Sequence, residues 1–163
     1  MKKLKVYLDT SIINFLFAED APEFKSITES FFNDYVIKNI YDIAISEVVI
    51  EEINNTTHPG KKKQLGGILE KYKFKIILLN EEVELLADCY LKEGVIPIRK
   101  VEDARHIAIA TVNNFDVLLS WNFKHLANIN KKYKVKTINE REGYHYPLDL
   151  LTPIQLIYDE NDN

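Results

Sequence analysis

Apolar and polar residues alternate through Leu4, Val6 and Leu8, predicting a first strand. At Asp9-Thr10-Ser11 the alternation gives way to helical spacing that reaches about Phe17, with Thr10 or Ser11 placed to cap the helix. Beyond Asp20-Ala21-Pro22, the recurrence of Ile27, Phe31, Tyr35 and Val36 predicts a longer helix near Phe24–Lys38. A short strand at Tyr41–Ile45 feeds a helix that begins at Ser46. Turn signals across Asn54–Gly60 precede a helix that the Gly66-Gly67 pair weakens. The rest reads as a strand at Phe74–Leu79, helices near Glu81–Lys92 and Val101–Asn114, a strand at Val117–Trp121 and a fifth strand at Tyr133–Ile138. Strands separated by helices imply right-handed crossovers, and hence an α/β fold with a central, mainly parallel sheet of about five strands covered on both faces.

In such a sheet the strand ends and the starts of the following helices share one edge, which is where ligands bind. Four separated segments leave an acid or amide there: Asp9 after the first strand, Glu52 in Ser46–Ile53, Asp103 at the head of the Ala-rich helix, and Asn122, with Ser120, after the fourth strand. Each has an ordinary explanation taken singly. Asp9 can cap a helix and Asn122 can accommodate a turn. Glu52 can lie at the margin of an apolar stripe: at about 100° per residue, Val49, Ile50 and Ile53 define the apolar arc, Glu47 and Glu51 face solvent, and Glu52 falls at the arc's edge. Asp103 shares a column with Ile107 and Ala110 and starts the buried face of its helix, with Arg105 pointing outward. His106 lies off that column and reads as a surface imidazole, with a role in holding substrate as the alternative. Trp121 and Phe123 read as packing residues. The conjunction of four oxygen-bearing side chains on one edge is harder to explain structurally than any one of them. Hard oxygen donors without a thiolate or imidazole set call for Mg²⁺ or Mn²⁺, metals that serve phosphodiester chemistry.

Composition narrows the class. At 163 residues, 46% hydrophobic and 28% charged, the chain suits one soluble domain, with no apolar run long enough for a bilayer and a cytoplasmic location expected. The single Cys89 excludes an internal disulfide and reads as a packing thiol. His58, His106, His125 and His145 lack a zinc spacing, and neither a Gly-rich phosphate loop nor a G-x-S-x-G elbow is present. A net charge of −4 argues against binding nucleic acid through bulk positive charge. It leaves two local clusters, Lys61-Lys62-Lys63 and Lys131, Lys132, Lys134 and Lys136, which read as phosphate contacts or as solvated faces. The segment Gly143–Tyr158 is too apolar to float free. The expected organisation is therefore a main domain over 1–142 and a C-terminal extension over 143–163, packed on the domain or on a partner.

The order of these motifs resembles the PIN-domain family, metal-dependent nucleases that include the VapC-type toxins of toxin–antitoxin modules. The matching elements are Leu8-Asp9-Thr10-Ser11, Ser46 through Glu52-Ile53, Asp103-Ala104 through Ala110, and Ser120-Trp121-Asn122. The resemblance implies a PIN-like α/β/α sandwich and Mg²⁺- or Mn²⁺-dependent hydrolysis of RNA. It implies Asp9, Glu52 and Asp103 as the acidic core, with Asn122 and Ser120 completing it, and as partners an RNA substrate, a small cognate antitoxin and a second copy in a homodimer. Two departures are visible: Asn122 stands where many relatives have Asp, and His125 where some have a further acid. The alternative reading is a non-catalytic PIN-like module that binds RNA or protein. A phosphoacceptor or phosphohydrolase α/β domain using Asp9 is a third, and the missing Asp-x-Asp motif after the first strand counts against the usual phosphohydrolase version. The aromatic surplus in the early helices, at Phe15, Leu16, Phe31, Phe32 and Tyr35, reads as an interface, with core packing as its rival.

Overall fold

The computed structural model describes residues 2–124, 126 and 128–161. Strand β1 (Lys5–Leu8) is buried through Val6, Tyr7 and Leu8 and occupies the centre of the sheet. It pairs with β2 (Asp42–Ser46) on one side and β4 (Val117–Leu119) on the other, while β3 (Lys75–Ile77) and β5 (Asp149–Leu151) form the edges. The order is β3-β2-β1-β4-β5 and every pairing is parallel, with Val6 opposite both Ile43 and Val117. Parallel neighbours cannot be joined by a tight turn, so each return requires a crossover.

Those crossovers are α1 (Thr10–Asn14, continued by a 3₁₀ turn over Phe15–Phe17), α2 (Pro22–Phe31), α3 (Glu47–Asn54), α4 (Pro59–Tyr72), α5 (Glu81–Lys92), α6 (Val101–Val112) and α7 (Ile129–Arg141). The two-residue period of the strands sorts the core into two layers. Tyr7, Ala44, Leu118 and Leu150 pack against α5, α6 and α7 on one face. Val6, Leu8, Ile45, Leu119 and Leu151 pack on the other, with Ile12, Phe31, Ile53 and Leu65. This is the layered α/β/α arrangement that the alternation of elements implies.

The expected fifth strand, Tyr133–Ile138, is instead part of α7. Asn128 caps that helix, and Val135, Ile138 and Asn139 turn inward at helical spacing while Tyr133 is exposed. The fifth strand is β5, drawn from the segment beyond Gly143, and α8 (Pro153–Asn161) follows it. The early aromatics also find partners within the domain. Phe31 and Phe32 are adjacent yet both buried, because the helix widens to a π turn over Phe32–Val36, marked by Ile37 N–H donating to Phe32 O at 2.9 Å. Tyr35 stacks on Tyr41, and Phe15 and Leu16 pack against the same layer. Phe31 and Phe32 are therefore core residues, while Phe15, Leu16 and Tyr35 pack against the core half-buried. No helix among the described residues is long and apolar enough to cross a membrane.

Candidate active site

Asp9 is the first residue past β1 and the N-cap of α1, so one side chain both ends the strand and opens the helix. Its Oδ1 accepts from Ser11 N–H at 3.0 Å and from Ser11 Oγ at 2.5 Å, and its Oδ2 accepts from Ser120 Oγ at 2.5 Å. Ser120, fully buried just past β4, also accepts from Asn122 N–H at 2.8 Å. Trp121 N–H donates to Ser11 Oγ at 2.9 Å, and its indole N–H donates to Thr28 Oγ1 of α2 at 2.8 Å. The turn after β4 is thereby locked to the turn after β1. Asn122 Nδ2 then reaches Asp103 Oδ2 at 3.2 Å, which links the opening of α6 to the same edge.

Glu52 arrives from α3, whose cap is Ser46 at the end of β2. It is half-buried and turned inward, whereas Glu51 is exposed, as the helical phase requires. Glu47 departs from the expectation: it is half-buried, and its Oε2 accepts from Leu79 N–H at 2.7 Å, tying the start of α3 to the end of β3. Glu52 Oε1 accepts from Thr10 Oγ1 at 2.9 Å and lies 2.6 Å from His106 Nε2.

His106 is not at the surface. It is 1% exposed, with Nδ1 2.6 Å from the hydroxyl of Tyr7, which in turn lies 2.7 Å from Ser46 Oγ. Sorting α6 into an inner column and an outer face fails here because the helix is buried nearly all round: Ala104 and every residue from His106 through Thr111 are inside. Arg105, expected to point outward, is half-buried and pairs with Glu84 of α5 at 3.0 Å. Trp121 is buried as expected, while Phe123 is 48% exposed and touches Trp121 and Phe24. Tyr7 is thus a residue beside the acids that the sequence did not point to, while Thr10 and Ser11 were expected only as helix caps and His106 as a surface imidazole with a role in holding substrate as the alternative. The available signals were the hydroxyl pair after Asp9 and an imidazole among alanines. His125 lies outside the described residues.

The electrostatics follow from crowding acids into partial burial. Burial raises the pKa of Asp9, and the charge of Asp103 adds to the rise, against the opposing pull of His106, Ser11 and Ser120. Burial likewise raises Asp103, with Glu52 adding to it and His106, Lys100 and Asn122 opposing. Burial would raise Glu52 as well, but the hydrogen bond and charge of His106, helped by Thr10 and Lys100, bring it below the usual carboxylate range. Burial works against a charge on His106, yet the bond to Glu52 and the charges of Asp9, Glu52 and Asp103 raise its pKa above the ordinary imidazole value.

Among the described residues, no three His, Cys, Asp or Glu side chains come together tightly enough to hold a metal ion. The donors still fit a hard cation by their chemistry. Asp9 and Asp103 both bind protons more readily than ordinary aspartates, because burial, joined by the charge of Asp103 on Asp9 and of Glu52 on Asp103, leaves them short of positive charge. A divalent ion with oxygen preference relieves that deficit.

No protein-family model matches the sequence, and no curated protein matches it. Solved structures do. A chain of a toxin–antitoxin complex from Klebsiella pneumoniae is similar over 91% of this chain and 97% of its own length, with a TM-score of 0.58 at 17% identity. A chain of VapBC2 from Rickettsia felis, solved bound to a DNA fragment from the promoter, is similar over 91% and 98%, with a TM-score of 0.54 at 15% identity. At these identities the likeness is one of fold, and the fold is the PIN-like one that the motif order implies.

Proposed function

We propose that this chain, with its PIN-like fold, is a Mg²⁺- or Mn²⁺-dependent endoribonuclease and the toxin of a two-protein module restrained by a small antitoxin. The observation that carries this reading is the convergence of Asp9, Glu52 and Asp103, from three separated segments, on one sheet edge with Ser120 and Asn122 interleaved. The fold shared with chains of toxin–antitoxin complexes supports the biological setting.

Asp9, Asp103, Glu52 and Asn122 would hold the ion, which supplies a more acidic bound water and charge stabilisation at a phosphodiester. The chain's own residues set the stage for that. Ser11 and Ser120 fix both oxygens of Asp9, and Asn122 steadies Asp103. Lys100, whose charge reaches both Glu52 and Asp103, adds positive potential beside the acids, where an RNA phosphate would approach. The alternative, a non-catalytic module that binds RNA or protein, draws on one observation: the acids are gathered through hydrogen bonds and do not surround a common point. Incubating the purified chain with RNA in Mn²⁺ separates the two, since only the enzyme yields new RNA ends.

Within the enzyme reading, Glu52→Gln is expected to lower the cleavage rate by about tenfold or more. Glu51→Gln, on the exposed side of the same helix, stays within about twofold of the unaltered chain. Equal effects in a single-turnover assay would dismiss the assignment of Glu52. In cells, expression of the chain alone is expected to arrest growth, and co-expression of the small protein encoded beside it to relieve the arrest. Arrest that the neighbour leaves untouched would defeat the antitoxin part.

A further inference from the structure

A buried imidazole needs partners for both ring nitrogens, and His106 has two that belong to different parts of the domain. Nε2 faces Glu52 Oε1 at 2.6 Å; Nδ1 faces the Tyr7 hydroxyl at 2.6 Å. Tyr7 is fully buried in the central strand, and its hydroxyl is anchored in turn by Ser46 Oγ at 2.7 Å. Ser46 Oγ is itself pinned, accepting from Val48 N–H at 3.1 Å as the cap of α3, the helix that carries Glu52. The connections close a circuit through β1, β2, α3 and α6.

The donor and acceptor rules fix the direction of the last link. An ionised carboxylate only accepts, so Nε2 carries a proton toward Glu52, whether the ring is neutral or charged. In the neutral ring, Nδ1 accepts from the Tyr7 O–H, which accepts from Ser46. Thr10 Oγ1 donates to the same Oε1 at 2.9 Å. Two donors therefore converge on Oε1, which is consumed in holding the side chain.

We propose, resting on the nuclease reading above, that His106 is the positioning residue for Glu52: backed by Tyr7 and Ser46, it fixes Oε1 so that Glu52 meets metal or water through Oε2 alone. Glu52 is then a one-oxygen participant held in a single orientation, in contrast to a chelating carboxylate. The imidazole is a support for an acid and takes no place among the metal's own donors. Partners of this kind are worth about 10–100-fold in activity or metal affinity where they orient a functional side chain.

Two kinds of measurement test this. In the metal-free, ¹⁵N-labelled protein, long-range ¹H–¹⁵N correlation spectra are expected to show His106 protonated at Nε2. A ring carrying its proton on Nδ1 alone overturns the proposal. In single-turnover cleavage of RNA with Mn²⁺, Tyr7→Phe, which deletes one oxygen and keeps the ring in the core, is expected to lower the rate about tenfold with RNA affinity unchanged. His106→Gln places an amide nitrogen near the Nε2 position and retains most of the rate. His106→Asn places its amide near Nδ1 and loses it. Equal rates for the Gln and Asn variants, both folded by circular dichroism, mean that the imidazole merely fills space and overturn the assignment. The Nε2–H signature in a chain that cleaves no RNA upholds the tie to Glu52 and defeats the nuclease reading instead.

Discussion

Asp9→Asn, and separately Asp103→Asn, are expected to reduce RNA cleavage on the order of a thousandfold while leaving the fold intact. Each replacement keeps the side chain's shape and most of its hydrogen bonds but withdraws a negative charge from the cation, a loss of several kcal/mol at the reacting phosphate. The same variants carry an opposite signature in stability. Both aspartates have raised pKa values in the folded chain, first through burial. The folded protein therefore binds protons on them more tightly than the unfolded chain does, so their effect is least harmful below the ordinary aspartate range near about pH 4 and worsens as pH rises through the raised values. Removing the charge should accordingly raise the unfolding temperature of the metal-free protein, by about 2–4 °C for each kcal/mol of repulsion and desolvation relieved. The gain should be larger at pH 7 than at pH 4. Calorimetry at both pH values beside a cleavage assay checks the pair; a variant that is inactive and also less stable at pH 7 would mean that Asp9 or Asp103 is structural.

The second large effect concerns the ion itself. Cleavage is expected to vanish in EDTA and to return when Mg²⁺ or Mn²⁺ is restored, because the site offers oxygen donors and, among the described residues, its one hydroxyl paired with an imidazole, that of Tyr7, is fully buried. Binding should also register without any substrate: an ion at about one hundred times its dissociation constant stabilises the fold by about 2.7 kcal/mol. The resulting thermal shift should be present in the unaltered chain and absent from Asp9→Asn. Undiminished cleavage in EDTA would sink the metal mechanism, and an equal shift in the variant would place the ion elsewhere.

Legibility of the fold and site in the sequence followed the physics of each segment. The four strands read first stand where short apolar runs stop at a cap or turn, and α5 matches its expected span of Glu81–Lys92. The run Tyr133–Ile138 misled because Tyr133, Val135 and Thr137 alternate like a strand while Val135, Ile138 and Asn139 fit a helix equally well. The true edge strand holds only three residues, and Leu150 and Leu151 are too few to show a period. At the site, Asp9, Asp103 and Asn122 were visible because each stands at the junction of a strand or loop with a helix. Glu52 was visible through helical phase. His106 was hidden because phase distinguishes inside from outside only when a helix has an outside, and α6 has almost none. The bonds from Tyr7 and Thr10 join residues 99 and 42 positions apart in the chain, separations that no local pattern encodes.

The position of β5 bears on how the protein is made. Ser120, which holds Asp9, has its own peptide N–H bonded to Leu151 O at 2.9 Å, and Leu119 lies in register with Leu151. During synthesis, Asp9, Glu52, Asp103 and Asn122 all leave the ribosome before Leu151 does, so the strand beside the site stays open on one flank until the last of them has been waiting on the order of seconds. The nascent chain thus carries every acid of the site before it carries the strand that holds Ser120 and, through it, Asp9; on the nuclease reading, competence to cut RNA would arrive late in translation.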